Sequence, residues 1–372
     1  MRILLIDDQP ENVEAVIEEI KQKLNLTADH CKSVTFDNTE ADITLHNPQI
    51  IVLDLLKQVG GDGEAVGLQV HAYIWKTRFC PVIIYTAAPE LVAEQAAKNH
   101  PFIKVVKKGA NSEALVLQCI QEFAPHIQAL DEAEREIRST MNGVLQEIAP
   151  KLFEGTQNAA ERNEMLVRSA RRRVAAKMDE ALLIGESAGL KSWECYLYPP
   201  VVNHLLMGDV IRKRNQDTNR PENYAVVLTP SCDLVKTATR NPKVPRVLVS
   251  RCASVTRLLP EIKIPTWTTN SSNKGKLTSF LTTGYGQSAM PLPSLPGVFP
   301  AMAIDFRSLE LIDTANIGDA GEEYERVVSV DNPWRELLAW PYMLSSARPG
   351  MPDRDYEAWA AEIIALFPAV NN

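Results

Sequence analysis

The chain has 372 residues, of which 45% are hydrophobic and 23% charged, and a formal net charge of −8. The length points to two or three domains, and the composition excludes a mostly disordered, collagen-like or purely coiled-coil chain. The acidic balance argues against a general nucleic-acid binder.

The start, MRILLIDD, runs from a short apolar stretch (Arg2–Ile6) straight into acid. This predicts a buried first strand, and no signal peptide is expected. Val13, Val16, Ile17, Ile20 and Leu24 recur at helical spacing. Further strands are predicted at Ser33–Phe36, Ile50–Leu53 (ending at Asp54), Pro81–Tyr85 (ending at Thr86) and Ile103–Val106 (ending at Lys107 and Lys108). Helices are predicted at Val66–Trp75, Pro89–Lys98 and Ser112–Phe123. Strands alternating with helices imply an α/β domain over 1–125, a doubly wound five-stranded parallel sheet with helices on both faces. Ligands of such sheets bind beyond the carboxyl ends of the strands. Asp7, Asp8, Asp54, Thr86 and Lys108 stand there.

Asp7, Asp8 and Asp54 would crowd three carboxylates into one cleft and repel unless a cation neutralises them. An all-oxygen acidic set suits a hard divalent ion, most plausibly Mg²⁺. Lys108 adds a positive charge and Thr86 a hydroxyl. Together they are suited to holding a phosphoryl group on an aspartate.

Residues 1–123 resemble the receiver domain of two-component response regulators. The matches are the acidic pair in ILLIDDQPEN, the aspartate in IIVLDLL, the Thr-Ala in VIIYTAA and the lysine in KVVKKGANSEAL. The resemblance implies a flavodoxin-like fold, with Asp54 as phosphoacceptor. It also implies a Mg²⁺ site of Asp7, Asp8, Asp54 and the backbone carbonyl of Leu56, Thr86 as switch hydroxyl, and Lys108 as the phosphoryl-contacting cation. Lys107 is the competing lysine. Lys108 is preferred because the family's apolar helix residue seven positions on is matched by Leu115 rather than Ala114. The implied partner is a histidine kinase or phosphotransfer protein.

Three features depart from the family. Gly109 replaces the usual cis proline after the lysine. A cis bond costs about 3 kcal/mol before a non-proline residue, so a trans bond is expected. Val105 stands where the family has an aromatic switch residue, and the loop after Asp54 carries a glycine-rich GGDGEAVG.

Residues 126–188 are charged, nearly free of Gly and Pro, and read as a helical linker. One apolar stripe (Ile137, Met141, Val144, Leu145, Ile148) is ended by Pro150. A looser one (Met165, Leu166, Val174, Met178, Leu182, Leu183) follows a loop at Gly155. The segment fits either a homodimerisation and signal-transmitting linker or a hairpin packed on its own chain. The basic run Arg168, Arg171, Arg172, Arg173 and Lys177 is expected to be a solvated face paired with acids such as Glu164 and Asp179, with nucleic-acid contact the lesser reading.

Residues 189–372 hold 17 of the 24 prolines and read as an α+β, β-rich output domain. Strands are predicted at Glu194–Tyr198, Gly208–Ile211, Tyr224–Thr229, Arg246–Ser250, Val298–Asp305 and Arg326–Val330, and helices at Pro333–Leu344 and Asp355–Phe367. A small barrel with terminal helices is one arrangement of these. Thr268–Thr278 reads as a mobile loop. His204, Asp209, Cys232 and Asp233 have the residue types of a nucleophilic triad or a metal site, but no known spacing. Trp334, Trp340 and Tyr342 read as core.

The six scattered cysteines have no C-x-x-C pair and read as reduced, buried thiols of a cytoplasmic protein. No apolar run reaches the roughly 18 residues of a membrane span, so no membrane association is expected. The resulting expectation is a two-component signalling protein, phosphorylated on Asp54 with Mg²⁺, that controls a C-terminal domain binding an unidentified protein. The alternatives are a phospho-regulated hydrolase or nuclease and a DNA-binding regulator.

Overall fold

The computed structural model describes residues 1–59, 62–64, 66–93, 100–155, 158–184, 191–258, 271–283, 288–318, 321–346 and 355–366. The chain divides into two compact units, Met1–Ile184 and Gly185–Asn372. No helix among the described residues is long and apolar enough to cross a membrane.

The first unit is built on five parallel strands: β1 (Ile3–Ile6), β2 (Cys31–Val34), β3 (Ile50–Leu53), β6 (Val82–Thr86) and β7 (Ile103–Lys107). Their order is β2-β1-β3-β6-β7, the flavodoxin-like arrangement. Continuous apolar runs such as ILLI and IIVL form central strands because both faces of a parallel sheet are covered. Successive side chains enter opposite cores: Ile3, Leu5, Ile50 and Val52 on one face, Leu4, Ile6, Ile51 and Leu53 on the other.

Helix α1 (Glu14–Leu24) covers the first face with the start of α5 (Ser112–Gly155). The second is covered by α2 (Thr39–His46) and α3 (Val66–Thr77), with Val92 of α4 (Glu90–Ala93). The sequence pattern did not reveal α2, which buries only Thr39 and Ile43. Asn25 and Asn47, both left-handed, end α1 and α2. Pro89–Lys98 is helical over Glu90–Ala93, and its last residues lie outside the described ones. After Asp54, β4 (Lys57–Val59) pairs antiparallel with β5 (Asp62–Glu64).

Helix α5 does not stop near Phe123. It runs for 44 residues in all, with Pro125 and Pro150 inside it, so the helix passes Pro150 to end at Gly155, although its packed stripe stops at Ile148. A proline removes one backbone hydrogen bond, but apolar packing continues beyond Pro125, from Ile127 to Ile148. Val116, Ile120, Phe123 and Ile127 cover the sheet, while Val144 and Ile148 pack on Ala170 and Val174 of α6 (Ala159–Ile184). The segment is therefore a hairpin on its own chain, and Asn158 caps α6 by accepting from the amide of Ala160 at 2.9 Å. In the basic run, Arg168 pairs with Glu164, as expected. Arg173 and Lys177 pair with Glu147 across the hairpin, and the side chain of Asp179 lies outside the described ones.

The second unit is a seven-stranded antiparallel sheet with apolar clusters on both faces. Its order is β12 (Ala289–Leu292), β13 (Met302–Asp313), β11 (Arg246–Ala253), β10 (Tyr224–Val227), β9 (Asp209–Lys213), β14 (Tyr324–Val330) and β8 (Tyr196–Leu197). The sheet has two end strands, so among the described residues it is open, not a barrel. β12 was not anticipated, and β13 is longer than expected because its exposed half still pairs with β11. The described part of the expected mobile loop is helix α9 (Ser271–Thr283), and residues 268–270 lie outside the described ones. Helices α10 (Trp334–Ser346) and α11 (Tyr356–Ile364) follow. Trp334 and Tyr342 pack on the core, whereas Trp340 is exposed. All six cysteines are free, but Cys232 is exposed and Cys119 half-buried rather than buried.

Candidate functional site

The carboxyl ends of β1, β3 and β7 deliver the acids and the lysine to one notch. Oxygens of Asp7, Asp8 and Asp54 all lie within 4.8 Å of one another. Asp7 and Asp54 are buried and Asp8 is half-buried. The Lys108 ammonium donates to Asp7 Oδ2 at 2.6 Å and to Asp54 Oδ2 at 2.7 Å. The second oxygen of Asp54 accepts from the amide of Leu55 at 2.7 Å and faces that of Leu56 at 3.5 Å. Asp54 therefore keeps one oxygen tied to its own loop and the other to the Lys108 ammonium.

Burial pushes the Asp7 carboxyl above its ordinary value, against the lowering effects of Lys108 and the Gln9 amide, and the Asp54 charge pushes it the same way. For Lys108, burial acts to lower the pKa, but its bonds to Asp54 and Asp7 prevail and hold it raised. The lysine is thus a fixed positive charge at neutral pH.

Of the two candidate lysines, the structure brings Lys108 to the acids, while Lys107 ends β7 exposed. The Lys108–Gly109 bond is not among the cis peptides of the chain. Thr86 is fully buried, and its hydroxyl accepts from the amide of Ala88 at 3.3 Å. Its carbonyl accepts from the amide of Lys108 at 2.9 Å, tying β6 to the lysine's loop.

Two residues of this site were not read from the sequence. Asn12 donates to Asp7 Oδ1 at 3.4 Å from a 3-10 turn over Pro10–Val13. Gly67 lies against the backbone of Asp54: a Cβ there would stand 2.2 Å from the Asp54 carbonyl oxygen. A glycine thirteen positions past a strand-end acid carries no signal in one sequence, because its reason is a tertiary approach.

The second predicted constellation does not assemble. Asp209 is fully buried and accepts from the amide of Leu206 at 2.8 Å, from Ser329 and from Arg326 Nε at 3.1 Å. Asp233 pairs with Lys243 at 2.8 Å, and Cys232 is exposed beside it. Among the described residues, no hydrogen bond joins His204 to any of the three, and the one group able to hold a metal is Asp7, Asp8 and Asp54. Sequence proximity of residue types misled here because Asp209 is consumed by a buried ion pair with Arg326, far along the chain.

No family model and no curated protein matches the chain. The solved structures similar to its N-terminal third are receiver domains of response regulators. One is the receiver domain of PhyR from Erythrobacter litoralis, 17% identical, covering 32% of this chain and 87% of that one, TM-score 0.26. Another is a two-component transcriptional regulator, AraC, from Clostridium phytofermentans, 22% identical, covering 35% and 98%, TM-score 0.27. A third is the response regulator TrrA from Thermotoga maritima in complex with Mg²⁺-BeF, 22% identical, covering 32% and 96%, TM-score 0.25.

Proposed function

We propose that the protein is a two-component signalling protein whose first unit accepts a phosphoryl group on Asp54 from a histidine kinase or phosphotransfer protein. The observation that carries this reading is the notch itself: three carboxylates within 4.8 Å, two of them held by a lysine just past the last strand. The fold places them at the carboxyl ends of parallel strands, where such sheets bind ligands.

The donor set is all oxygen and suits Mg²⁺, with Asp7, Asp8, Asp54 and the carbonyl of Leu56 as its holders. When bound, the ion offsets charge on the phosphoryl oxygens. Asp54 Oδ2 is the attacking atom. A new O–P bond forms there as the donor's P–N bond breaks, and the donor imidazole keeps that electron pair. Lys108 shifts from the Asp54 carboxylate to the oxygens of the incoming phosphoryl group. Thr86, at the end of β6, supplies the hydroxyl that follows the new charge by leaving its Ala88 partner. The result is a charge-driven change of state, which controls a protein-binding role of the second unit.

The test is incubation of the full chain with acetyl phosphate and Mg²⁺, read by intact mass and acid lability. Wild type is expected to gain one acid-labile phosphoryl group, and Asp54→Ala none. A wild type that stays unmodified, or an Asp54→Ala variant that is still modified, removes the reading.

A further inference from the structure

The lysine's loop is braced from behind by residues outside the acidic notch. Tyr85 on β6 and Ser112 at the start of α5 are both buried, and their hydroxyl oxygens lie 2.8 Å apart. Ser112 Oγ donates to the Gly109 carbonyl at 2.7 Å and accepts from the Gly109 amide at 3.3 Å. A serine hydroxyl has one hydrogen and two acceptor lone pairs. Its hydrogen is spent on Gly109, so Tyr85 is the donor to Ser112, and the serine is saturated. The ring of Tyr85 meanwhile lies under Lys108, the ammonium 5.5 Å from its centroid, within cation–π reach.

Besides this side-chain brace, the Gly109 carbonyl accepts from the Ser112 amide at 3.2 Å. No atom lies within 4 Å of where the Gly109 Cβ would be, and glycine is the residue with the widest backbone freedom. On its other side, Lys108 is fixed by the bond from its amide to the Thr86 carbonyl. Tyr85 and Ser112 supply the remaining restraint.

We propose that Tyr85 and Ser112 are positioning residues, which set where the Lys108 ammonium stands between Asp7 and Asp54 and thereby set the rate of phosphoryl transfer to Asp54. The rate half of this rests on the reading of Asp54 as phosphoacceptor. Neither residue touches the phosphoryl group; both act through Lys108.

The experiment uses the full chain and two readouts. With acetyl phosphate and Mg²⁺, Tyr85→Phe and Ser112→Ala are expected to slow phosphorylation about tenfold, a loss suited to a sub-ångström displacement. Ser112→Thr, which keeps the hydroxyl, is expected to restore it. In a Lys108→Ala background, Tyr85→Phe is expected to cost nothing further, since residues acting through one group are not additive. Without Mg²⁺ or donor, the backbone ¹⁵N order parameters of Lys108 and Gly109 are expected to fall from about 0.85 toward 0.6 in Tyr85→Phe. Unchanged order parameters in the folded variant overturn the proposal, as does a full tenfold loss that persists without Lys108. A wild type that takes no phosphate defeats the phosphoacceptor reading instead, and the order parameters still decide the brace.

Discussion

Replacing Gly67 by alanine tests whether the site depends on a close approach between α3 and the phosphoacceptor loop. The added Cβ would stand 2.2 Å from the Asp54 carbonyl oxygen, 2.5 Å from Leu55 Cα and 3.1 Å from the Asp54 carbonyl carbon. All three are backbone atoms, so no side chain can rotate away. Restoring ordinary contact requires the first turn of α3 or the Asp54–Leu55 backbone to move by about 1 Å, and overpacking of this kind costs about 1–3 kcal/mol. The Gly67 amide also donates to the Leu55 carbonyl at 3.1 Å, so the two segments are tied and strain passes to Asp54. A displacement of about 1 Å at a reacting group costs about 100-fold in rate. Gly143 is the control: it lies in α5 with nothing within 4 Å of its Cβ position, and alanine there is expected to raise stability by about 0.5–1 kcal/mol. Chemical denaturation and the acetyl phosphate rate are measured for both variants. Gly67→Ala is expected to lose on both counts and Gly143→Ala on neither. A Gly67→Ala protein that is phosphorylated at the wild-type rate refutes the account of that contact.

Two further predictions concern stability. Arg326 lies against the fully buried Asp209, with Nε in a 3.1 Å hydrogen bond and Nη2 3.0 Å away, and its Nη1 donates to the Val202 carbonyl at 2.8 Å. Arg326→Met leaves an uncompensated buried carboxylate, so the second unit is expected to lose about 3–5 kcal/mol in urea unfolding; a loss under about 1 kcal/mol contradicts that role. His71 is buried, with Nε2 unbonded, and burial, aided by His100, holds its pKa below the ordinary 6.5. His46 is lowered likewise, chiefly by burial. The unfolded chain therefore binds more protons than the folded one as pH falls below about 6.5, and stability is lost on that side. Each histidine contributes a slope of up to about 1.4 kcal/mol per pH unit. His71→Phe, which keeps an aromatic ring against Trp75, is expected to flatten the first unit's stability between pH 7.5 and 5.5, and unfolding curves with an unchanged pH dependence would count against it.

What the sequence determined by itself is the α/β character of the first unit and the residues of its acidic notch. Runs such as ILLI and IIVL, alternating with amphipathic helices, read as strands of a parallel sheet covered on both faces, and each run ends at its polar residue. Strand position thus fixed where Asp7, Asp8, Asp54 and Lys108 would stand, because side chains at strand ends have little freedom to be elsewhere. The length of α5 was not legible, since its apolar pattern changes after Phe123 and Pro150 reads as a stop, whereas packing first on the sheet and then on α6 joins the two stretches in one helix. The tertiary structure alone decided the fate of Asp209, 117 positions from Arg326, and the need for glycine at position 67. It also decided that Tyr85, an ordinary strand residue by pattern, reaches Ser112 behind the lysine. Periodicity encodes which face a residue takes, but contacts between distant segments depend on how whole elements pack, and one sequence does not record that.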